Sequence, residues 1–295
     1  MTKSWYVDTY DPNSNIHWRV KKLLFHKKTK FQDIKIFDLY QCGKSLVIDG
    51  IPQSSVEEEW IYHEVLIHPA LILYGKKKNL EILVLGAGEG ATLREILKHK
   101  NIKSINTVDI DREAVDIFKK FFPEMHQGFF DHPKVNLIFD SAENFLAKSN
   151  KKYDVIYLDI SDLGYYNLSS RVKKSETHFY NLIRKNLDQN GVLAMHSTNF
   201  SEVNYAGHIR LKKILEKVFK KVYSCRVYLS FFGVYWGFLV ASPYHNNKFN
   251  PLAVSEKNLK KRFKETGLEG KLKYLSPEMF KAIFTLPPFL KKLSK

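Results

Sequence analysis

Cysteine is scarce in this chain: two residues, Cys42 and Cys225, in 295. They lie far apart and show no metal-ligand spacing, so they read most simply as reduced thiols in a cytoplasmic protein. Long hydrophobic runs are also missing. No apolar stretch reaches the ~18 residues a membrane helix needs. The opening MTKSWYVDTYDPNSN has no apolar segment of the kind that begins a secretory signal. There is no internal repeat and no low-complexity linker. Acidic residues are the remaining shortage: 31 Asp and Glu against 47 Lys and Arg leave a formal charge of +16. A charge of that size fits an anionic partner such as nucleic acid, or simply a lysine-rich solvated surface. The lysines come in scattered groups, such as Lys76 to Lys78, Lys119 with Lys120 and Lys291 with Lys292. No basic arm or nucleic-acid motif accompanies them, so nucleic acid is not the expected partner.

What is present is enough apolar sequence, 44%, to build one large domain or two smaller ones. The organisation changes once. Residues 1–60 form short alternating segments, such as "FQDIKIFDL" and "KSLVID", broken by Cys42-Gly43 and Asp49-Gly50, which predicts a small antiparallel β domain. From residue 61 to 295, buried runs alternate with helical segments: "EILVLG", "SINTVDID", "VNLIFD", "DVIYLDI" and "GVLAMHS". That alternation predicts an α/β domain with a mostly parallel, Rossmann-like sheet covered on both faces. "VYSCRVYLS" and "YWGFLVAS" would close it as antiparallel strands. The tail beyond Pro243 reads as loop plus helix.

In such a fold, ligands bind beyond the carboxyl ends of the strands. Acids stand at four of those ends: Glu89, Asp109 with Asp111, Asp140, and Asp159 with Asp162. One alone is a good helix cap. Four together make a carboxylate-lined crevice, which is costly unless a cation compensates it. Gly86, Gly88 and Ala91 satisfy G-x-G-x-x-G/A, and Asp109 follows about 20 residues on, where an acid can hold both hydroxyls of a ribose. Glu89 inside the glycine loop argues against a pyrophosphate there, because carboxylate and phosphate repel while carboxylate and ammonium attract. An adenosine with a cationic amino tail fits better than a dinucleotide. The plainer reading of Glu89 is a first-turn charge favoured by the helix dipole.

These segments, "DG-I-PQ…EEEWIYHE", "GAGEG", "VDID", "FDSAENFL", "YDVIYLDISD", "WGFLVAS" and the closing "YLSPEMFKAIFTLPPFL", resemble the polyamine aminopropyltransferases: the spermidine, spermine and thermospermine synthases. The resemblance spans nearly the whole chain. It implies an N-terminal β domain before a Rossmann-like catalytic domain, a homodimer or homotetramer, and no tightly bound cofactor. The donor co-substrate would be decarboxylated S-adenosylmethionine, the acceptor a polyamine, and the released nucleoside 5′-methylthioadenosine. Carried over by position, Gln32 contacts the nucleoside, Asp109 holds the ribose, and Asp140 with Ser141 reads the adenine edge. Gly86 and Gly88 let the backbone approach the donor, and Glu89 grips its ammonium. Tyr62, His63, Gln53 and Tyr235 line the amine site. Asp159 accepts the proton, and Asp162, its partner in D-x-x-D, holds the acceptor.

The chemistry needs these residue types. The acceptor is protonated near neutral pH and only a neutral amine attacks carbon, so a carboxylate must take its proton and position the lone pair. No metal is required, because the sulfonium leaves as a neutral thioether. The chain also departs from the family. The pairing of Glu89 with "VDID" looks more like the thermospermine synthases. After Asp162 the usual proline gives way to Leu163, with Tyr165 and Tyr166 following. Arg171, Lys173 and Lys174 add positive charge near the amine channel, and His196 stands where a glutamine-containing segment is usual. Two other readings use the same scaffold: an S-adenosylmethionine-dependent methyltransferase, and a non-catalytic basic binding protein.

Overall fold

The computed structural model describes residues 4–11, 13–75, 78–160, 176–244 and 249–294. Asp162, Leu163, Tyr165, Tyr166, Arg171, Lys173 and Lys174 lie outside the described residues. Five strands come first: β1 (Trp5–Asp8), β2 (Ile16–Lys28), β3 (Asp33–Leu39), β4 (Gly43–Ile48) and β5 (Ile51–Ser55). They pair in sequence order as an antiparallel meander. The turn between β4 and β5 is Asp49-Gly50, both at positive φ, which suits the tight hairpin the sequence predicts there.

The long helix α1 (Glu59–Tyr74) leads into the second sheet: β6 (Leu80–Leu85), α2 (Ala91–Leu97), β7 (Ile102–Asp109), α3 (Arg112–Phe121), α4 (Pro123–His126), β8 (Val135–Phe139), α5 (Ala142–Lys148) and β9 (Tyr153–Leu158). The chain resumes with α6 (His178–Asn186), β10 (Leu187–Asn199), α7 (Ala206–Glu216), β11 (Lys221–Leu229) and β12 (Val234–Ser242). The order across the sheet is β11-β12-β10-β9-β6-β7-β8. The middle pairs are parallel, and β12 joins β10 antiparallel. The fold is therefore a Rossmann-like mixed sheet behind an antiparallel one. The two late apolar segments pair as expected, with β11 at the edge and β12 one place in. The tail differs from the expected single helix. It contains α8 (Glu256–Thr266), α9 (Pro277–Phe284) and α10 (Pro288–Leu293), because Ser255 and Ser276 each cap a fresh start and Pro287 and Pro288 break the run after Phe284.

Both faces of the second sheet are covered, so its strands read as unbroken apolar runs. In β6, Ile82 and Val84 pack with α1, α2, α8 and α9, while Leu83 and Leu85 pack on the opposite side with α6 and α7. Strand order reverses between β6 and β9, and that reversal is where such sheets open a crevice for ligands. Helix α1 is buried almost throughout, which explains its apolar sequence on all sides. One charge inside it, Glu64, is fully buried and accepts the backbone N–H groups of Lys273, Tyr274 and Leu275 at 2.8–2.9 Å. It staples the tail to α1.

Glu64→Ala would leave three buried donors without their acceptor. At about 1–3 kcal/mol for each orphaned group, partly relieved by relaxation, a loss of about 3–5 kcal/mol in urea unfolding is expected. A loss under about 1 kcal/mol would mean that the tail docks without the staple.

Candidate functional site

A cavity of about 430 Å³ lies between the two sheets, at the carboxyl ends of β6, β7 and β9. The glycine loop after β6 forms one wall. Gly86 has φ +96°, and a methyl group on it would stand 2.0 Å from the backbone oxygen of Asp159. Asp159 in turn donates its N–H to Leu85 (2.8 Å). Only a residue without a side chain lets the loop and the end of β9 come this close. Gly88 has open space where a side chain would project, which leaves the backbone bare toward the cavity.

Asp159 carries a donor on each oxygen: the Tyr62 hydroxyl and the Thr92 hydroxyl, both at 2.7 Å. The carboxylate is therefore aimed by α1 on one side and α2 on the other. Burial, with Asp159 beside it, holds the Tyr62 phenol far above its usual range, so it stays a donor. Glu89 is buried and accepts a hydrogen bond from the hydroxyl of Ser54, from β5 of the other sheet. Burial pushes its carboxyl upward, Asp159 adds to that, and Ser54 with His63 pulls the other way. A cation between Glu89 and Asp159 would relieve both acids.

At the far side of the glycine loop, Asp109 accepts N–H groups from Ala87 and Asp111, both at 2.8 Å. Burial still outweighs those bonds and raises its carboxyl above the ordinary value. Asp111 caps α3 through Ala114 N–H and takes hydrogen bonds from Thr29 Oγ1 (2.5 Å) and Gln32 Nε2 (3.2 Å). Gln32 thus reaches the cavity wall while latching the first sheet to the second.

His63 opens a buried chain of charge. Its Nδ1 lies 2.8 Å from Glu59 Oε2, and Arg94 grips the same carboxylate with two nitrogens at 2.8 and 2.9 Å. Arg94 Nε donates to Glu95, which also holds His68 Nε2 and Lys98. Burial alone would lower the His63 pKa, but Glu59, helped by Asp159, turns the shift upward. Glu59 moves the other way: burial raises it, and His63 with Arg94 brings it below its usual range.

The cavity brings together Gln32, Gln53, Tyr62, His63, Gly86, Gly88, Glu89, Asp109 and Asp159. It does not bring in Asp140, Ser141 or Tyr235. Asp140 adjoins the cavity by donating its N–H to the Asp109 carbonyl (3.0 Å). Ser141 spends its hydroxyl capping α5 through Asn144 N–H. Tyr235 corrects the expectation that it lines the channel. Side chains alternate along β12, so Val234 and Trp236 face the cavity while Tyr235 lies on the other side against Tyr228, with Arg226 over its ring.

Residues 59–251 match the spermine/spermidine synthase domain, and residues 4–55 match the spermidine synthase tetramerisation domain. The chain belongs to the spermine/spermidine synthase family. It is 32% identical over 289 residues to the polyamine aminopropyltransferase of Sulfurisphaera tokodaii, covering 98% of this chain and 92% of that one. Against the Aeropyrum pernix polyamine aminopropyltransferase it is 34% identical over 240 residues, 81% of this chain and 75% of the relative. Two solved structures share the fold at a TM-score of 0.83 and 23% identity, covering the whole of this chain and 95% of theirs: a spermidine synthase crystallised with the transition-state analogue AdoDATO, and the spermidine synthase of Thermotoga maritima.

Within this family site, several residues had no signal in the sequence. Ser54 and Thr92 are ordinary hydroxyls in "PQSS" and "GATL" until the fold sets them beside Glu89 and Asp159. Arg94, three residues into a helix, reads as a surface charge. On β12, alternation puts Trp236 and Tyr235 on opposite faces, and Trp236 is the one that lines the cavity.

The His63–Glu59 contact yields a titration prediction. The His63 proton should leave above the ordinary ~6.5, and its share of stability, complete below that value, should fade as pH rises through the folded-state pKa. Glu59→Gln should bring the His63 titration, followed by NMR, below 6.5. An unchanged pKa would show that Glu59 does not hold this proton.

Proposed function

We propose that this family member moves the aminopropyl group of decarboxylated S-adenosylmethionine onto a polyamine and releases 5′-methylthioadenosine. The observation that carries this reading is the pairing of Asp159, held by Tyr62 and Thr92, with buried Glu89 in one cavity between the sheets. The donor adenosine would lie by Asp109, Gln32 and the bare glycine loop, with Asp140 and Ser141 beyond the ribose acid. The donor ammonium would sit by Glu89, with the propyl carbon attached to sulfur near Asp159. The acceptor ammonium loses a proton to Asp159. Its lone pair attacks that carbon in line, the carbon–sulfur bond breaks, and the electron pair goes to sulfur as a neutral thioether. Tyr62 and Thr92 keep the carboxylate aimed throughout, which is positioning of the kind that makes a proton transfer effective. Asp162 is assigned acceptor binding from the D-x-x-D motif alone. The N-terminal match supports assembly into an oligomer through the first sheet. The unpaired thiols Cys42 and Cys225, both buried, suit a reducing cytoplasm.

The methyltransferase reading is less favourable, because its donor adds a carboxylate that Glu89 would repel. Calorimetry should therefore give at least tenfold tighter binding of decarboxylated S-adenosylmethionine than of the carboxylated form. Equal affinity would favour methyl transfer. A positioned base contributes ~10²–10⁴-fold, so Asp159→Asn should lower the rate of methylthioadenosine release by about that factor while donor affinity holds. Near wild-type turnover in the variant would rule out Asp159 as the base.

A further inference from the structure

The buried chain of charge that begins at His63 meets the cavity with one free nitrogen. His63 Nδ1 lies 2.8 Å from the Glu59 backbone oxygen and 2.8 Å from its Oε2. A carbonyl only accepts, so Nδ1 carries a proton in either charge state of the ring. Glu59 is itself fixed. Arg94 holds its carboxylate with two nitrogens, and is held in turn by Glu95 (2.9 Å) and the Met125 carbonyl (2.8 Å). Nε2 is therefore the nitrogen that can change. It has no hydrogen-bond partner among the described residues, and the ring lines the cavity. With a proton, Nε2 is a donor and the ring a cation; without one, it is an acceptor.

The charges around the ring give that second proton a use. On its own helix stand Glu59 and the Tyr62 phenol, whose ring is 5.0 Å away. Arg94 acts on it from α2, Glu89 from the glycine loop and Asp159 from the end of β9. Arg94 is already opposed by Glu59 and Glu95. What remains is two carboxylates bonded to hydroxyls, and one imidazole. Positive charge on His63 favours an ionised Glu89, and Asp159 favours the proton on His63. An imidazolium thus serves as the cation shared by two acids that burial alone would neutralise. The substrates bring cations of their own. In the transfer geometry above, the donor ammonium sits beside Glu89 and the acceptor ammonium beside Asp159. Once both are seated, the proton on Nε2 is surplus positive charge in a buried site.

We propose that Glu59 is a positioning residue of the transfer, acting through His63. It fixes Nδ1–H so that Nε2 carries a proton in the empty cavity, releases it when the ammonium groups arrive, and then accepts a hydrogen bond from one of them. This role rests on the aminopropyl-transfer reading and adds to it the fate of a proton. One N–H bond breaks, its electron pair stays on Nε2, and the proton passes to the solvent. The cavity thereby keeps a cation beside its acids both before and after binding, so neither acid is buried uncompensated. Burial lowers the His63 pKa in the empty cavity, and Glu59 with Asp159 outweighs it. Arriving ammonium groups push it down again. Binding therefore expels a proton below the folded-state pKa of His63 and none above it. Amine affinity climbs as pH rises through that value and then levels.

The test is calorimetry of spermidine binding to enzyme saturated with methylthioadenosine, in phosphate and in Tris. The pH runs from about 6 to about 8, around and above the ordinary ~6.5 of histidine. The two buffers differ in ionisation heat, so the difference in signal counts the protons released. Wild type should release about half a proton or more per spermidine near the folded-state pKa of His63, and its affinity should rise by up to about tenfold per pH unit below that value. Glu59→Gln keeps an acceptor for Nδ1–H but removes the charge that holds the second proton. It should lose most of the proton release and flatten the pH slope, with methylthioadenosine affinity unchanged. Should Glu59→Gln fail to fold, His63→Gln, which removes the titrating ring, is read in the same way. Wild-type binding without proton release anywhere in that range overturns the role of His63. So does a release that persists undiminished in either variant, because the proton then comes from another group. Wild type that neither binds spermidine nor forms methylthioadenosine overturns the transfer reading and this role with it.

Discussion

Burying carboxylate is the constraint around which this molecule is arranged. Acids inside a protein are costly unless hydrogen-bonded or paired, and this chain buries several around a single helix and a single crevice. Each is handled differently. Glu64 is neutralised by backbone N–H groups and becomes a staple. Glu59 and Glu95 are paired with Arg94 and histidines and become a rigid charged spine. Asp111 is shared between a helix cap and a latch to the other sheet. Asp159, held by two hydroxyls, Asp109, held by two backbone N–H groups, and Glu89, held by Ser54, line the cavity itself.

The same contrast explains what the sequence disclosed. Period and punctuation made the two sheets legible, because alternating "FQDIKIFDL" and unbroken "EILVLG" report how many faces of a strand are covered. The strand-end acids were legible because the fold class says where ligands go, and Asp109, Glu89 and Asp159 do come together. The partners of those acids were hidden. Thr92, Ser54 and Arg94 act through distance: their bonds to Asp159, Glu89 and Glu59 join residues 35 to 67 positions apart along the chain. Tyr235 and Trp236 illustrate a finer limit. Adjacent aromatic residues on a strand point to opposite faces, and resemblance to a family fixes neither which one turns inward nor what it meets. The tail, expected as one helix, divided because serine caps and a proline pair override a merely helical composition.

His196 shows how a departure from the family pattern acquires meaning from its surroundings. In the sequence it could be a packed core histidine. In the fold its Nε2 is committed to a backbone carbonyl and its face to Trp236, which leaves one nitrogen and one direction open. A glutamine in its place offers both a donor and an acceptor, whereas this ring, with Nε2–H given to the Ile160 carbonyl, leaves only Nδ1 open.

The latch from Thr29 and Gln32 to Asp111 crosses between sheets whose facing surfaces also form the cavity. Docking of the first sheet and occupancy of the cavity are therefore linked equilibria. Any ligand seated between the sheets favours the docked form by RT ln(1 + [L]/Kd). A ligand seated there would act as a second latch, adding to the hydrogen bonds of Thr29 and Gln32 in holding the two halves of the protein together.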